Sequence, residues 1–254
     1  WKELLQQTTS EPEPEPEPAG DAFPGALKVF VLAVGVKDYT DVTPLDNTLH
    51  DADDISAKFA QIGCDVMKLT DTTQDGSVTK NLMKKLRREF LSTLAGMGPA
   101  NTVVIFAYMG HGAEYDGMQY LLPQDWGGGE VELKWDGPTL KDEAMCLQET
   151  LQQIEDKKPL ATLAFLDCCR EHVEVRGGIF GAGGLSALAG PAGSLVMYAA
   201  GQGKLVGDRT PTGRTPNGVF TAALLRHLGT PGLSLEQMAV NVRNEVKEKS
   251  GEDQ

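Results

Sequence analysis

Two residues in this chain have the types and settings for covalent chemistry on a carbonyl group. His111 follows an apolar run, Asn101–Tyr108, and stands in the triplet Gly110-His111-Gly112. Cys169 follows a second apolar run, Leu160–Leu166, in the string Asp167-Cys168-Cys169-Arg170. Both runs read as buried strands, so both side chains fall at strand ends. A thiol is mostly protonated near neutral pH. An imidazole beside it generates the thiolate and later returns a proton to the leaving group. The pair therefore points to a cysteine nucleophile with a histidine base. The attacked carbonyl oxygen becomes negative and needs donors already in place; the backbone N–H groups of Gly112 and Cys169 are the candidates. Glycine at 110 and 112 lets the backbone approach a substrate closely. Taken singly, a Gly-His-Gly turn and a strand-end thiol are ordinary structural features, and it is their joint arrival at strand ends that carries the reading.

The elements that must position these residues alternate along the chain. Leu27–Val36 reads as a buried strand and Asp46–Ile62 as a helix, with apolar spacing through Ile55, Phe59 and Ile62. Asp65–Leu69 is a second strand, Val78–Leu94 a helix with one basic face, and Asn101–Tyr108 the third strand. A helix near Lys141–Glu155 leads into the fourth strand, Leu160–Leu166, and Leu195–Ala200 is a fifth. Gly218–Leu228 and Ser234–Lys249 close the chain as helices. Continuous apolar strands separated by helices specify an α/β fold, a three-layer sandwich whose mostly parallel central sheet is covered on both faces. Between the third strand and its next helix, Met118–Pro123 and Glu130–Trp135 flank a run of glycines at 127–129. This pattern predicts a small β-hairpin at the edge of the sheet. Ligands of open parallel sheets bind beyond the carboxyl ends of the strands. His111, Cys169 and Asp51 all map there.

Composition narrows the classes. Residues 1–26 stand apart, because the Glu-Pro repeat at 11–18 favours extended polyproline II stretched further by like charges. They read as an acidic linker or tail, and 27–254 as the folded domain. The net charge of −13 argues against nucleic acid as a partner, which would need clustered Lys and Arg. Its simplest meaning is solubility, and it is compatible with basic peptides. No apolar stretch approaches the roughly 20 residues of a membrane-spanning helix, so no membrane association is expected. Four cysteines, Cys64, Cys146, Cys168 and Cys169, are few for this length and are not in CxxC pairs. That disfavours a structural zinc site and suggests a reducing compartment, the cytoplasm. Cys64 and Cys146 lie in apolar contexts and are expected as buried thiols.

The strings YMGHG (108–112), GMQYLLPQD (117–125) and LDCCR (166–170) together resemble the caspase-like cysteine peptidases, most closely the metacaspase, paracaspase and orthocaspase branches. The resemblance covers roughly residues 27–249 and implies a caspase-like sandwich with a large portion of about 27–176 and a small portion of about 185–250. In that family the nucleophile immediately precedes the Arg or His of the motif, which selects Cys169. Cys168 points to the opposite side of an extended backbone, in agreement. Aspartate-cutting caspases carry Gln two residues before the nucleophile. The metacaspase-like branches carry Asp there, as this chain does at Asp167, and cut after Arg or Lys. The resemblance thus implies peptide or protein substrates with a basic P1 residue, and a pocket carboxylate suits bidentate pairing with guanidinium. Asp51 aligns with a second acidic pocket residue of those branches; the competing reading is a charge at a helix N-terminus. Asp53 and Asp54 are expected on a solvated face. Met109 departs from the small residue usual in the family and implies a narrower, more apolar pocket.

Dyad chemistry needs no cofactor and no metal. Calcium activation is left open: many metacaspases need it and paracaspases do not, and the sequence has no EF-hand loop. Homodimerisation is equally open. Arg176, in the Gly-rich stretch 176–184, is a candidate site of self-cleavage. The polar stretch 201–218 occupies the place of a substrate-flanking loop, and Asp208 within it reads as a solvent-facing acid. His172 is a rival base by proximity in sequence but lacks the strand-end setting. The alternative to a peptidase is a caspase-like scaffold, weak or inactive in catalysis, that serves protein interaction.

Overall fold

A computed structural model describes residues 27–40, 42–72, 77–126, 137–168, 171–172, 194–199 and 217–250. Its elements run β1 (Lys28–Gly35), α1 (Thr48–Gln61), β2 (Asp65–Thr70), α2 (Lys80–Gly96) and, after a short 3-10 turn, β3 (Thr102–Gly110). Then come β4 (Gly112–Tyr115), β5 (Met118–Leu121), α3 (Gly137–Glu143), β6 (Met145–Cys146) and α4 (Leu147–Glu155). The chain continues through β7 (Ala161–Cys168), β8 (Glu171–His172), β9 (Ser194–Tyr198), α5 (Val219–His227) and α6 (Leu235–Ser250).

The central sheet has the order β2-β1-β3-β7-β9, and every pairing in it is parallel. Alternation splits its side chains into two cores. Phe30, Leu32 and Val34 of β1 and Val104, Phe106 and Tyr108 of β3 face one side, where Phe90 and Leu94 of α2 and Leu147 and Leu151 of α4 cover them. Val31, Ala33, Ile105, Ala107 and Met109 face the other, against Ile55 and Phe59 of α1, Phe220 and Leu224 of α5, and Val242 of α6. Strands apolar on both faces need helices on both faces, and the expected three-layer α/β sandwich is what forms.

Of the hairpin expected from Met118–Pro123 and Glu130–Trp135, only the first segment is described. β5 pairs antiparallel with the preceding β4, in a separate small sheet of order β6-β5-β4-β8. The turn is Asp116-Gly117, and both residues are left-handed, with φ of 53° and 72°. Mirror-image two-residue turns require that conformation, and Asp-Gly is a preferred sequence for it. Glu130–Trp135 lies outside the described residues. The helix expected near Lys141–Glu155 is two helices, α3 and α4, because Met145–Cys146 leaves the helical path to pair with β5.

Candidate active site

The carboxyl ends of β3 and β7 meet in register. Gly110 lies opposite Cys168 and Met109 opposite Asp167. The chain then continues on both sides into the small sheet, where Ala113 lies opposite Glu171 and Glu114 opposite His172. The residues flanking His111-Gly112 are thus paired with residues flanking the Cys169-Arg170 segment, while Cys169 itself lies outside the described residues. Cys168 is buried in the core on the Tyr108 side of the sheet, the side opposite Met109.

His111 occupies the single position between β3 and β4 and is partly exposed. Its Nε2 is 2.8 Å from the carbonyl oxygen of Thr43. A carbonyl only accepts, so Nε2 carries the proton of the neutral ring and Nδ1 is the basic nitrogen. The imidazole meets the Tyr39 ring edge-on, with centroids 4.7 Å apart and planes at 60°. Both contacts come from the loop after β1. Asp71 secures that loop: its Oδ2 accepts the N–H groups of Lys37 and Asp38 at 2.9 and 2.8 Å.

Asp51 and Asp167 come together on the other face of the sheet. They are 2% and 7% exposed, with Asp51 in the first turn of α1 and Asp167 near the end of β7. The N-terminus of α5 receives both. The N–H of Gly218 donates to Asp51 Oδ1 at 3.0 Å, and Thr221 Oγ1 donates to Asp167 Oδ2 at 2.7 Å. A Cβ at Gly218 would stand 3.1 Å from Asp167 Oδ2 and 3.3 Å from Asp51 Oδ2, so glycine lets the helix start close to the two carboxylates. Unpaired N–H groups and the dipole at a helix N-terminus favour such charges. Asp51 thus lies in the first turn of its own helix, and its carboxylate accepts from the N-terminus of another.

The family model described as Caspase domain matches residues 28–254, most of the chain. The chain belongs to the caspase-domain family. It is a cysteine-type peptidase domain by that membership. No curated protein matches it significantly.

In this caspase-domain chain, Met109 is 1% exposed and packs in the core beneath α1 and α5, on the face that also holds Asp167. Asp53 pairs with Lys68, and Asp54, which is exposed, accepts from Asn217 Nδ2 at 2.9 Å. Cys146 is buried as expected. Cys64 is only partly buried, because it precedes β2 at the amino end of the sheet where α1 has already ended. Burial pushes both thiols above their ordinary pKa, with the Asp65 charge adding to the effect at Cys64. Arg176 and Asp208 lie outside the described residues, as does the tail 1–26. Among the described residues, no three His, Cys, Asp or Glu side chains converge as a metal site requires, and no helix is long and apolar enough to cross a membrane.

Sequence reasoning missed Tyr39, Thr43, Gly218 and Thr221. Tyr39, Thr43 and Thr221 carry no local signal, since each matters through a partner distant in sequence. Gly218 alone left a trace, as the glycine at the predicted start of a helix.

Proposed function

We propose that this caspase-domain peptidase cleaves peptide bonds after arginine or lysine, with Cys169 as nucleophile and His111 as general base and acid. One observation carries the substrate preference: two buried carboxylates, Asp51 and Asp167, converge from α1 and β7 beside Gly218. A basic P1 side chain brings the complementary charge, and guanidinium donates bidentately to carboxylate. Met109, buried on the same face as Asp167, keeps the core side of this site apolar.

The chemistry follows from the ring orientation. With Nε2 engaged by Thr43, Nδ1 of His111 takes the Cys169 thiol proton. The thiolate attacks the scissile carbonyl carbon, and the N–H groups of Gly112 and Cys169 receive the oxyanion. As the C–N bond breaks, the imidazolium returns its proton to the leaving amine and a thioester remains. Water, deprotonated by the same Nδ1, then attacks the thioester and releases the acid and the thiol. The strand register that brackets Cys169 between Cys168 and Glu171, opposite Gly110 and Ala113, supports the pairing of nucleophile and base.

Fluorogenic peptides differing only in Arg, Lys or Asp at P1 test the proposal, with Cys169→Ala and His111→Ala as controls. Turnover of the Arg and Lys peptides is expected, with the Asp peptide inert and a loss of at least about 100-fold in each control. Preference for Asp, or Cys169→Ala as active as the parent chain, overturns it.

A further inference from the structure

Beneath His111 lie two phenols that the acyl-transfer steps do not use. The His111 N–H donates to Tyr39 Oη at 2.7 Å. Tyr39 Oη lies 3.3 Å from Tyr108 Oη. Tyr108 Oη in turn donates to the carbonyl oxygens of His111 and Leu122, each at 2.8 Å. Counting protons sets the direction of the chain. Each phenol has one O–H, and the Tyr108 proton is committed to carbonyls, which cannot donate. Between the phenols, Tyr39 therefore donates and Tyr108 accepts, which leaves a Tyr39 lone pair for the His111 N–H. The circuit begins at the N–H of His111 and closes at its C=O.

Three further observations fit a built device. Tyr39 is 6% exposed and Tyr108 fully buried, and burial holds both phenols protonated, well above the ordinary tyrosine range. A Cβ at Gly110 would lie 2.6 Å from both phenol oxygens, so the residue before the histidine must be glycine for the circuit to fit. The Tyr39 ring also meets the imidazole edge-on, and its loop carries the Thr43 carbonyl that engages Nε2.

We propose that Tyr39 and Tyr108 are positioning residues for His111: their linked hydroxyls hold both main-chain groups of the histidine, and so fix how Nδ1 reaches the Cys169 thiol. The proposal rests on the reading of His111 as the base. It assigns the phenols no contact with substrate, so their loss acts on kcat and spares KM. Because the circuit needs both hydroxyls in series, losing both costs about what losing one costs.

The test compares Tyr39→Phe, Tyr108→Phe and the double variant in the full chain, with Tyr120→Phe as a buried tyrosine outside the circuit. With the Arg peptide, each single variant is expected to lower kcat about tenfold and leave KM within twofold. The double variant should match the singles, and Tyr120→Phe the parent chain. Alkylation of Cys169 by iodoacetamide across pH supplies a second readout. An imidazole in reach keeps the thiol reactive below its ordinary pKa, and the Phe variants should lose that acid-side reactivity. Unchanged kcat and alkylation in both variants, while His111→Ala is inactive, overturns the clamp and spares the dyad. An active His111→Ala overturns the dyad and the clamp with it. Hydrogen exchange in the parent chain covers variants that do not fold. Slow exchange at the His111 amide supports the circuit, and exchange at the rate of an open amide refutes it.

Discussion

Thr221 engages Asp167 through a hydrogen bond of 2.7 Å, and both are buried. A hydroxyl donating to a carboxylate contributes about 1.5–3 kcal/mol, so this bond orients the acid of the proposed pocket as well as stabilising the fold around it. Thr221→Val keeps the shape and removes the donor. It should lower kcat/KM for Arg peptides about tenfold, mainly through KM, and Thr221→Ser should recover most of the loss. Steady-state kinetics on the three proteins decide it; equal KM values would remove Thr221 from the pocket. The contrast with Asp167 shows what one sequence discloses. Asp167 sits two positions before the motif cysteine and is visible there, whereas Thr221 is an unremarked residue inside a helix. Its function arises from the 54 positions of chain that the fold closes between the two. Tyr39 was hidden for the same reason. His111 and the glycines beside it were visible, but the need for glycine at 110 came from two phenol oxygens contributed by different segments.

The elements that carry these residues dock with little slack. A Cβ at Gly35, the last residue of β1, would lie 2.7 Å from Ala52 Cβ and 2.8 Å from the Thr48 carbonyl oxygen. The close crossing of β1 and α1 therefore depends on a missing side chain, and α1 brings Asp51. Gly35→Ala should push the helix outward and cost about 1–3 kcal/mol, as overpacking usually does. The melting temperature should fall by several degrees. Activity on Arg peptides should fall more than Cys169 alkylation at neutral pH, because Asp51 moves while the dyad elements do not. A variant with unchanged melting would mean that the helix accommodates the methyl group. At this scale the sequence was legible where the apolar period was long and uniform, in the central strands and in α1 and α2. It was less legible where short segments choose among partners. Met118–Leu121 has alternation suited to several strands, and only the left-handed Asp116-Gly117 turn selects β4. The break between α3 and α4 follows from Tyr120 and Leu121 pairing with Cys146 and Met145, a tertiary contact that overrides local helical preference.

Across the whole molecule, the C-terminal third is tied to the rest through the candidate substrate pocket itself. β9 pairs with β7 from Thr162–Ser194 to Leu166–Tyr198. Phe220, Ala223 and Leu224 of α5 share a core with Ile55 and Phe59 of α1. The polar bonds Gly218–Asp51 and Thr221–Asp167 cross the same boundary. If the peptidase cuts itself at Arg176, as its proposed preference allows, the two pieces retain every one of these contacts, none of which involves residues near the cut. A buried, strand-paired contact of this kind resembles a domain core more than a transient interface. The nicked protein should therefore run as one species in native size exclusion and as two bands on a denaturing gel, and it should keep its activity on Arg peptides. Incubation of the active protein beside Cys169→Ala, followed by mass spectrometry, locates the cut. Pieces that separate without denaturant would show that the strand pairing and the shared core do not hold the halves. Separated pieces should also be inactive, because Asp51 and Asp167 would lie on one piece and the Gly218 and Thr221 donors that orient them on the other.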